Sequence, residues 1–307
     1  MNVLIKNNLI KNLGIIASAF ILMLFVFSCE GEDSDESAVI YEKKLEDLPQ
    51  TNIVKFNGRM FNLPSPVQAS EVVKSTQSPY REELLNPSDN YQNYSTSYKQ
   101  ALNLGVYGAD LAYLNIYEKF NIATEYFEVV KKLTQELNIV NSFTEEVLNK
   151  IEKNKKNKDS LLYITSKAYR DADSYLIQNE RNDISILVLA GGWIESMYIL
   201  TQTSKNTDNK DVINRIGQQK YALDNLIELM RPYYGTKSDD YDKLLQNLSD
   251  LALIFDGVLI NYEYKSPETI REEKLTIINS ETLIEINEYQ LEHIRESIAK
   301  IRQTIIR

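Results

Sequence analysis

The 307-residue chain has a single cysteine, Cys29, and a single histidine, His293. One cysteine cannot form a disulfide within the chain. A Ser-His-Asp or Cys-His triad would have to use His293, and the Glu-x-x-His and His-x-x-x-His spacings of di-iron and zinc sites do not occur. The 10 glycines form no phosphate-binding loop. We therefore expect no metal and no cofactor, and we favour a protein that is not an enzyme.

Positive charge is also scarce, with 34 lysines and arginines against 44 acids and a net charge of −10. Residues 1–28 contain two of the lysines and no acid, so the remainder carries −12. Phosphate-backbone binding depends on clustered lysine and arginine. Nucleic acid is therefore not an expected partner.

The N-terminus has the three parts of an export signal. Lys6 and Lys11 are the only charges before Cys29, an apolar run from Leu13 to Phe27 follows, and Ser28 precedes the cysteine. This order resembles the lipobox of bacterial lipoproteins, which implies a signal peptide over 1–28 and a lipid, palmitate included, on Cys29. The alternative is a membrane-anchor helix, although the run is short for the roughly 20 residues that cross a bilayer.

An acidic run from Glu30 to Ser37 follows the cysteine. It has no apolar residue to bury, so residues 29–40 are predicted to be a lipidated tether. The run also resembles the surface-export signal of Bacteroidetes lipoproteins. That resemblance implies a helical protein of unassigned family function, lipid-anchored in the outer membrane and exposed at the cell surface.

Proline is confined to a few places. Five prolines precede residue 88 and none occurs from Ser88 to Arg231, which is typical of long helices. We predict an all-α fold, a multi-helix bundle or helical-hairpin array, in one domain over 41–307 whose residues 41–88 form a less regular N-terminal wrap. Ser65-Pro66 and Ser78-Pro79 are predicted helix starts, and Ser142 with Glu145 a capping box. The predicted helices are 91–119, 121–138, 143–154, 158–179, 183–204, 209–231, 239–262 and 267–305.

The last predicted helix, 267–305, is opened by Ser266-Pro267 and is the longest. A coiled coil with a partner is one interpretation, but the intermediate positions Glu273, Ser280 and Asn287 are polar. We therefore favour a long C-terminal helix packed on the bundle. The residues that suggest this helix recur every seven positions: Ile270, Ile277, Ile284, Leu291, Ile298 and Ile305.

Two segments, from Ala101 to Leu114 and from Ile184 to Leu200, are apolar around almost the whole helix circumference and are predicted to be buried. Each contains two glycines, which cost a helix about 1 kcal/mol each relative to alanine. Such a cost is tolerated where two backbones approach closely. The two helices are therefore predicted to cross near these glycines.

Each of these helices carries one acid among apolar neighbours, Asp110 and Glu195. A buried carboxylate must be hydrogen-bonded, paired or protonated. One hypothesis is a carboxylate pair that hydrolyses a glycan. The favoured hypothesis is two structural acids satisfied by tyrosines, helix ends or an arginine. If the two helices face each other, the candidate pocket comprises Asp110, Glu195, Tyr107, Tyr113, Tyr117, Trp193 and Tyr198.

The function expected from these features is that of a membrane-anchored binding or interaction module at the cell envelope. Its expected partners are the membrane, through the N-terminal lipid, and an envelope protein or a glycan. The alternatives are the carboxylate-dependent glycan hydrolase and a structural subunit of an envelope complex. The structural subunit would be held by an exposed apolar patch from Ile298 to Ile305.

Overall fold

The computed structural model describes residues 51–56, 59–139, 144–154, 157–205, 210–271 and 275–307. The chain divides into units 1–43 and 44–307, and every described residue belongs to the second. The predicted signal peptide, Cys29 and the tether therefore lie outside the described residues.

Helices make up most of this second unit, which confirms the all-α, multi-helix fold with a C-terminal helix. Short 3-10 turns occur at Glu82–Leu84, Ser88–Asn93 and Arg231–Tyr233. The α-helices are α1 (Pro66–Ser75), α2 (Ser97–Ile116), α3 (Phe120–Glu136), α4 (Glu145–Lys153), α5 (Lys158–Gln178), α6 (Asn182–Ser204), α7 (Lys210–Met230), α8 (Asp239–Phe255) and α9 (Glu288–Ile305). The strands are β1 (Thr51–Phe56), β2 (Arg59–Pro64), β3 (Leu259–Glu263), β4 (Glu268–Ile270), β5 (Leu275–Ile277) and β6 (Glu281–Glu285).

The centre of the fold is the crossing of α2 and α6, which pack against each other more extensively than any other two elements. A methyl group on Gly105 would overlap the carbonyl of Val188, and one on Gly191 would overlap that of Leu102. The predicted crossing at the glycines is thus confirmed for these two positions. Gly108 instead makes room for the Tyr169 ring of α5.

Local capping accounts for several helix starts. Ser65 caps α1 in a capping box with Gln68, as the Ser65-Pro66 signal predicts. The N-cap of α4 is Thr144, which accepts from the Val147 N–H, and the predicted cap Ser142 lies outside the described residues. The predicted start at Ser78-Pro79 is wrong, because no helix begins until the 3-10 turn at Glu82.

The prediction of one helix over 267–305 is wrong in its first half, and the predicted 239–262 helix ends at Phe255. Residues 259–271 and 275–285 instead form antiparallel two-stranded pairs in two tiers, β3 with β6 and β4 with β5. Only α9 remains helical, with Asn287 and Gln290 as its capping box. We call residues 259–271 and 275–285 the ribbon.

Among the described helices, α6 is long and apolar enough to span a bilayer, with a mean hydropathy of 1.6 over a window of 18 residues. However, 72% of that window is buried inside the bundle. Its apolar character is accounted for by its position at the centre of the core.

Candidate functional site

The two acids singled out in the sequence lie in one buried cluster. Asp110 on α2 and Glu195 on α6 are both 0% exposed, and they are close enough for their carboxyl groups to interact. The α2–α6 crossing brings them together, since the glycines allow the two backbones to approach. The third member is Arg302 of α9, and we call these three residues the carboxylate cluster.

Arg302 holds Glu195 with two hydrogen bonds. Its Nε donates to Oε2 over 2.6 Å and its Nη2 to Oε1 over 2.7 Å, in the bidentate geometry that favours arginine–carboxylate pairs. Nη2 also donates to the carbonyl of Leu84 over 2.8 Å, and the guanidinium stacks 4.1 Å from the Tyr198 ring centre. Burial opposes the charged form of Arg302, but the charge and hydrogen bonds of Glu195 outweigh it and raise the pKa of Arg302.

Asp110 is held differently. Its Oδ2 accepts the backbone N–H of Asn86 over 3.1 Å, whereas Oδ1 has no partner among the described residues. Burial and the negative charge of Glu195 raise the pKa of Asp110 well above its ordinary value. A carboxyl group that is buried beside a negative charge is more stable in its protonated form. We therefore infer that Asp110 is a neutral acid.

The polar contacts continue from α2 to the chain's C-terminus. The last carbonyls of a helix have no partner within it. Here the Asn103 amide donates to the Ile305 carbonyl over 3.0 Å, and the Tyr94 hydroxyl to that of Ile306 over 3.3 Å. Asn86 connects this end to the cluster, since its side chain donates to Asn103 and Tyr94. These buried polar groups thus bind the end of α9 to α2.

The predicted pocket tyrosines bind the segment before α2. Tyr107 donates to the Pro87 carbonyl over 2.8 Å, Tyr117 donates to that of Ser78 over 2.7 Å, and Tyr113 accepts the Arg81 N–H over 3.0 Å. Burial raises the pKa of Tyr117 to about 12. All three hydroxyls therefore satisfy backbone groups of an irregular segment, which is a structural role.

Trp193 has a partner on a different element. Its indole N–H donates to Gln219 of α7 over 3.1 Å. Both residues line a cavity of about 10 Å³, together with Arg215. This volume is at the lower limit for one water molecule, so it cannot hold a sugar.

The chemistry open to the carboxylate cluster follows from its burial. Arg302 is 6% exposed and neither acid reaches solvent, so substrate and hydrolytic water have no access to the pair. The described residues contain no group of histidine, cysteine and acidic side chains able to hold a metal ion. The sequence indicates an arginine only as one class of partner for the acids, and it does not indicate Asn86 or Leu84. One signal was available: Arg295 and Arg302 lie seven residues apart on either side of the core residue Ile298.

The ribbon is the other candidate site, and it is defined by exposure. Seven of the thirteen exposed large apolar side chains in the described part of the chain lie on it. Its base is anchored by Ile284, which packs against Gly217 of α7. Isolated apolar residues on a surface are ordinary, but a concentration of them marks an interaction surface. The seven residues are Leu259, Tyr262, Tyr264, Leu275, Ile277, Ile278 and Leu283.

No family model, curated protein or solved structure matches this chain.

Proposed function

We propose that the chain is a lipid-anchored protein of the cell envelope that acts as a binding module, with the ribbon as its binding surface and another envelope protein as its partner. The observation that carries this proposal is the concentration of exposed apolar side chains on the ribbon. A two-stranded ribbon is only marginally stable by itself in water. A partner that covers its apolar groups would therefore both stabilise the ribbon and be bound by it.

The two alternative functions have less support. A glycan hydrolase would need solvent access to Asp110 and Glu195, which are both 0% exposed. A subunit held by an apolar end of the last helix would need Ile298, Ile301 and Ile305 at the surface, but they are 0%, 4% and 3% exposed. The cavity beside Trp193 is too small for a glycan.

The anchor is tested by metabolic labelling with palmitate. The wild-type chain should incorporate label and fractionate with the outer membrane, and the Cys29→Ala variant should do neither. Protease treatment of intact cells then tests surface exposure, since a surface domain is degraded and a periplasmic one is protected. Retention of label by Cys29→Ala would overturn the proposed anchor.

The binding surface is tested by photo-crosslinking in living cells. A crosslinking amino acid is placed at Ile278, which is 75% exposed on the ribbon, or at Tyr234, which is 62% exposed in a turn outside it. We expect an adduct with one envelope protein, identified by mass spectrometry, from position 278 only. A Leu275→Asn change should reduce its yield. Equal adducts from both positions, or none from position 278, would contradict the proposal.

A further inference from the structure

The distal tier of the ribbon has an apolar face. Ile270 of β4 pairs directly with Leu275 of β5, and Glu268 pairs with Ile277. Because side chains alternate between the faces of a strand, these four residues share one face and Thr269 and Thr276 the other. Leu275 is 45% exposed and Ile277 38%. The shared face is therefore apolar and open to solvent, with one acid at its end.

The main chain of this tier can also pair with a further strand. Within the described part of the molecule β4 and β5 pair only with each other, so each strand has an outer edge of unpaired N–H and C=O groups. Such an edge is a template for another strand. An extended segment that pairs there places alternate side chains on the apolar face. Both main-chain and side-chain binding groups are thus present in one place.

The charge of the ribbon determines which kind of strand it can bind. The described residues of the ribbon contain four glutamates against Lys265 and Arg271, and Lys265 is already paired with Glu281 over 2.6 Å. A second copy of the chain would bring the same excess of negative charge, and like charges on paired strands are destabilising. A basic strand would be attracted. The occupant favoured by the surface is therefore a different protein.

We propose that the outer edge of β4 binds an extended, basic segment of another protein by strand addition. Apolar side chains of that segment cover Ile270, Leu275 and Ile277, and an adjacent lysine or arginine pairs with Glu268. The inference rests on the proposed function, since it names the chemistry of the partner that the ribbon takes.

Binding is measured by fluorescence anisotropy with the lipidated full-length chain in detergent. The probe is a labelled peptide of about nine residues, which lies within the usual range of strand lengths. One face of its extended form carries valines in the middle and a lysine at each end, and the other face carries threonines. Two control peptides replace lysine by glutamate, or carry N-methyl groups at alternate residues that block strand pairing. We expect the basic peptide to bind about tenfold more tightly than either control. We also expect its affinity to fall between about 50 mM and about 300 mM NaCl.

Two variants separate the ribbon from general charge. Glu268→Lys should weaken the basic peptide about tenfold and improve binding of the acidic one. Glu125→Lys makes the same charge change on the exposed side of α3 and should leave binding unchanged. Equal binding by the N-methylated peptide, an equal loss in both variants, or ribbon-dependent dimers in sedimentation would overturn the inference. If the inference fails while position 278 still crosslinks to one envelope protein, the proposed function stands with a partner of different chemistry.

Discussion

Replacing Asp110 by asparagine keeps the shape of the buried side chain but removes its ability to ionise. The asparagine oxygen can still accept the Asn86 N–H, and the amide is uncharged, as the protonated acid is. The variant should therefore fold, with the polar contacts of the carboxylate cluster intact. Its stability should differ from that of the wild type mainly in its dependence on pH.

The sign of this difference follows from the raised pKa. In the unfolded chain Asp110 loses its proton near its ordinary pKa of 3.8, whereas in the folded chain it retains the proton to higher pH. The native state then binds more protons than the unfolded state, so the free energy of unfolding falls as pH rises. This stability is fully present below pH 3.8 and is lost as pH rises through the folded-state pKa. The Asp110→Asn variant should not lose this stability, because its side chain does not ionise.

The magnitude is about 1.4 kcal/mol per pH unit in that window. The free energy of unfolding of Asp110→Asn minus that of the wild type should therefore grow with pH above about 4, and it should level off once Asp110 ionises in the fold. If Asp110 stays protonated throughout, the growth between pH 5 and pH 7 is about 2.7 kcal/mol. Urea unfolding followed by circular dichroism at several pH values measures it.

Asp110→Ala serves as the control for the hydrogen bonds. It also removes the titrating group but leaves the Asn86 N–H without an acceptor, which costs about 1–3 kcal/mol at every pH. Its free energy of unfolding should depend on pH in the same way as that of Asp110→Asn, but it should be lower at every pH. A wild-type curve that stays parallel to both variants from pH 5 to pH 7 would refute the assignment of a proton to Asp110.

Three further predictions concern stability measured by the same unfolding assay. Glu195→Gln should cost about 3–5 kcal/mol, because it leaves the charge of Arg302 buried without its partner. A loss of stability below about 1 kcal/mol would show that water reaches this ion pair. Gly191→Ala should cost about 1–3 kcal/mol, because the new methyl group would overlap the facing backbone of α2. Gly192→Ala should be neutral or stabilising, since the nearest atom to its new methyl group would lie at an ordinary 3.4 Å. Equal effects of the two changes would contradict the close crossing of α2 and α6. Glu180→Gly should stabilise the fold by about 1 kcal/mol, because this residue follows α5 with a φ of +58°, which glycine adopts without strain. A loss of stability would show that the contacts of the glutamate side chain matter more than the backbone conformation.

The close helix crossing could be predicted because its cause is local. Gly105 and Gly191 are costly inside helices, and only a close neighbour explains such residues at the middle of an apolar stretch. The structure places backbone carbonyls of the opposite helix where their side chains would be. The steric signal is therefore contained in the sequence of each helix alone.

The ribbon could not be read from the seven-residue spacing because that spacing is not specific to helices. Ile270 and Ile277 are seven apart, yet the antiparallel pairing of β4 with β5 places both on one face of the ribbon. A better signal was composition, since isoleucine, threonine and tyrosine supply ten of the 27 residues from 259 to 285 and all favour strands. The sevenfold pattern holds as a helix only from Leu291 onward, where the side chains are buried in the bundle.

Only the two acids of the carboxylate cluster could be predicted from the sequence. Asp110 and Glu195 are conspicuous, since each is a charged residue in an apolar helix. Their partners come from elsewhere in the chain: Arg302 is 107 residues from Glu195, and Asn86 is 24 residues from Asp110. Periodicity describes one element at a time, so it can indicate that a buried acid needs a partner but not which residue supplies it.

The buried polar residues and the exposed ribbon are connected through α9, which directly follows the ribbon. Arg302 fixes this helix to the middle of α6, and Arg295 donates to the carbonyl of Thr201 near the end of α6 over 3.1 Å. At its start, Gln290 donates to the carbonyl of Gly257 over 2.6 Å, which closes the base of the ribbon between α8 and α9. A ribbon held at both of its ends by anchored helices keeps its orientation on the bundle. Glu195, one of the two acids that suggested catalysis, therefore has a structural role, since it fixes the helix that adjoins the ribbon.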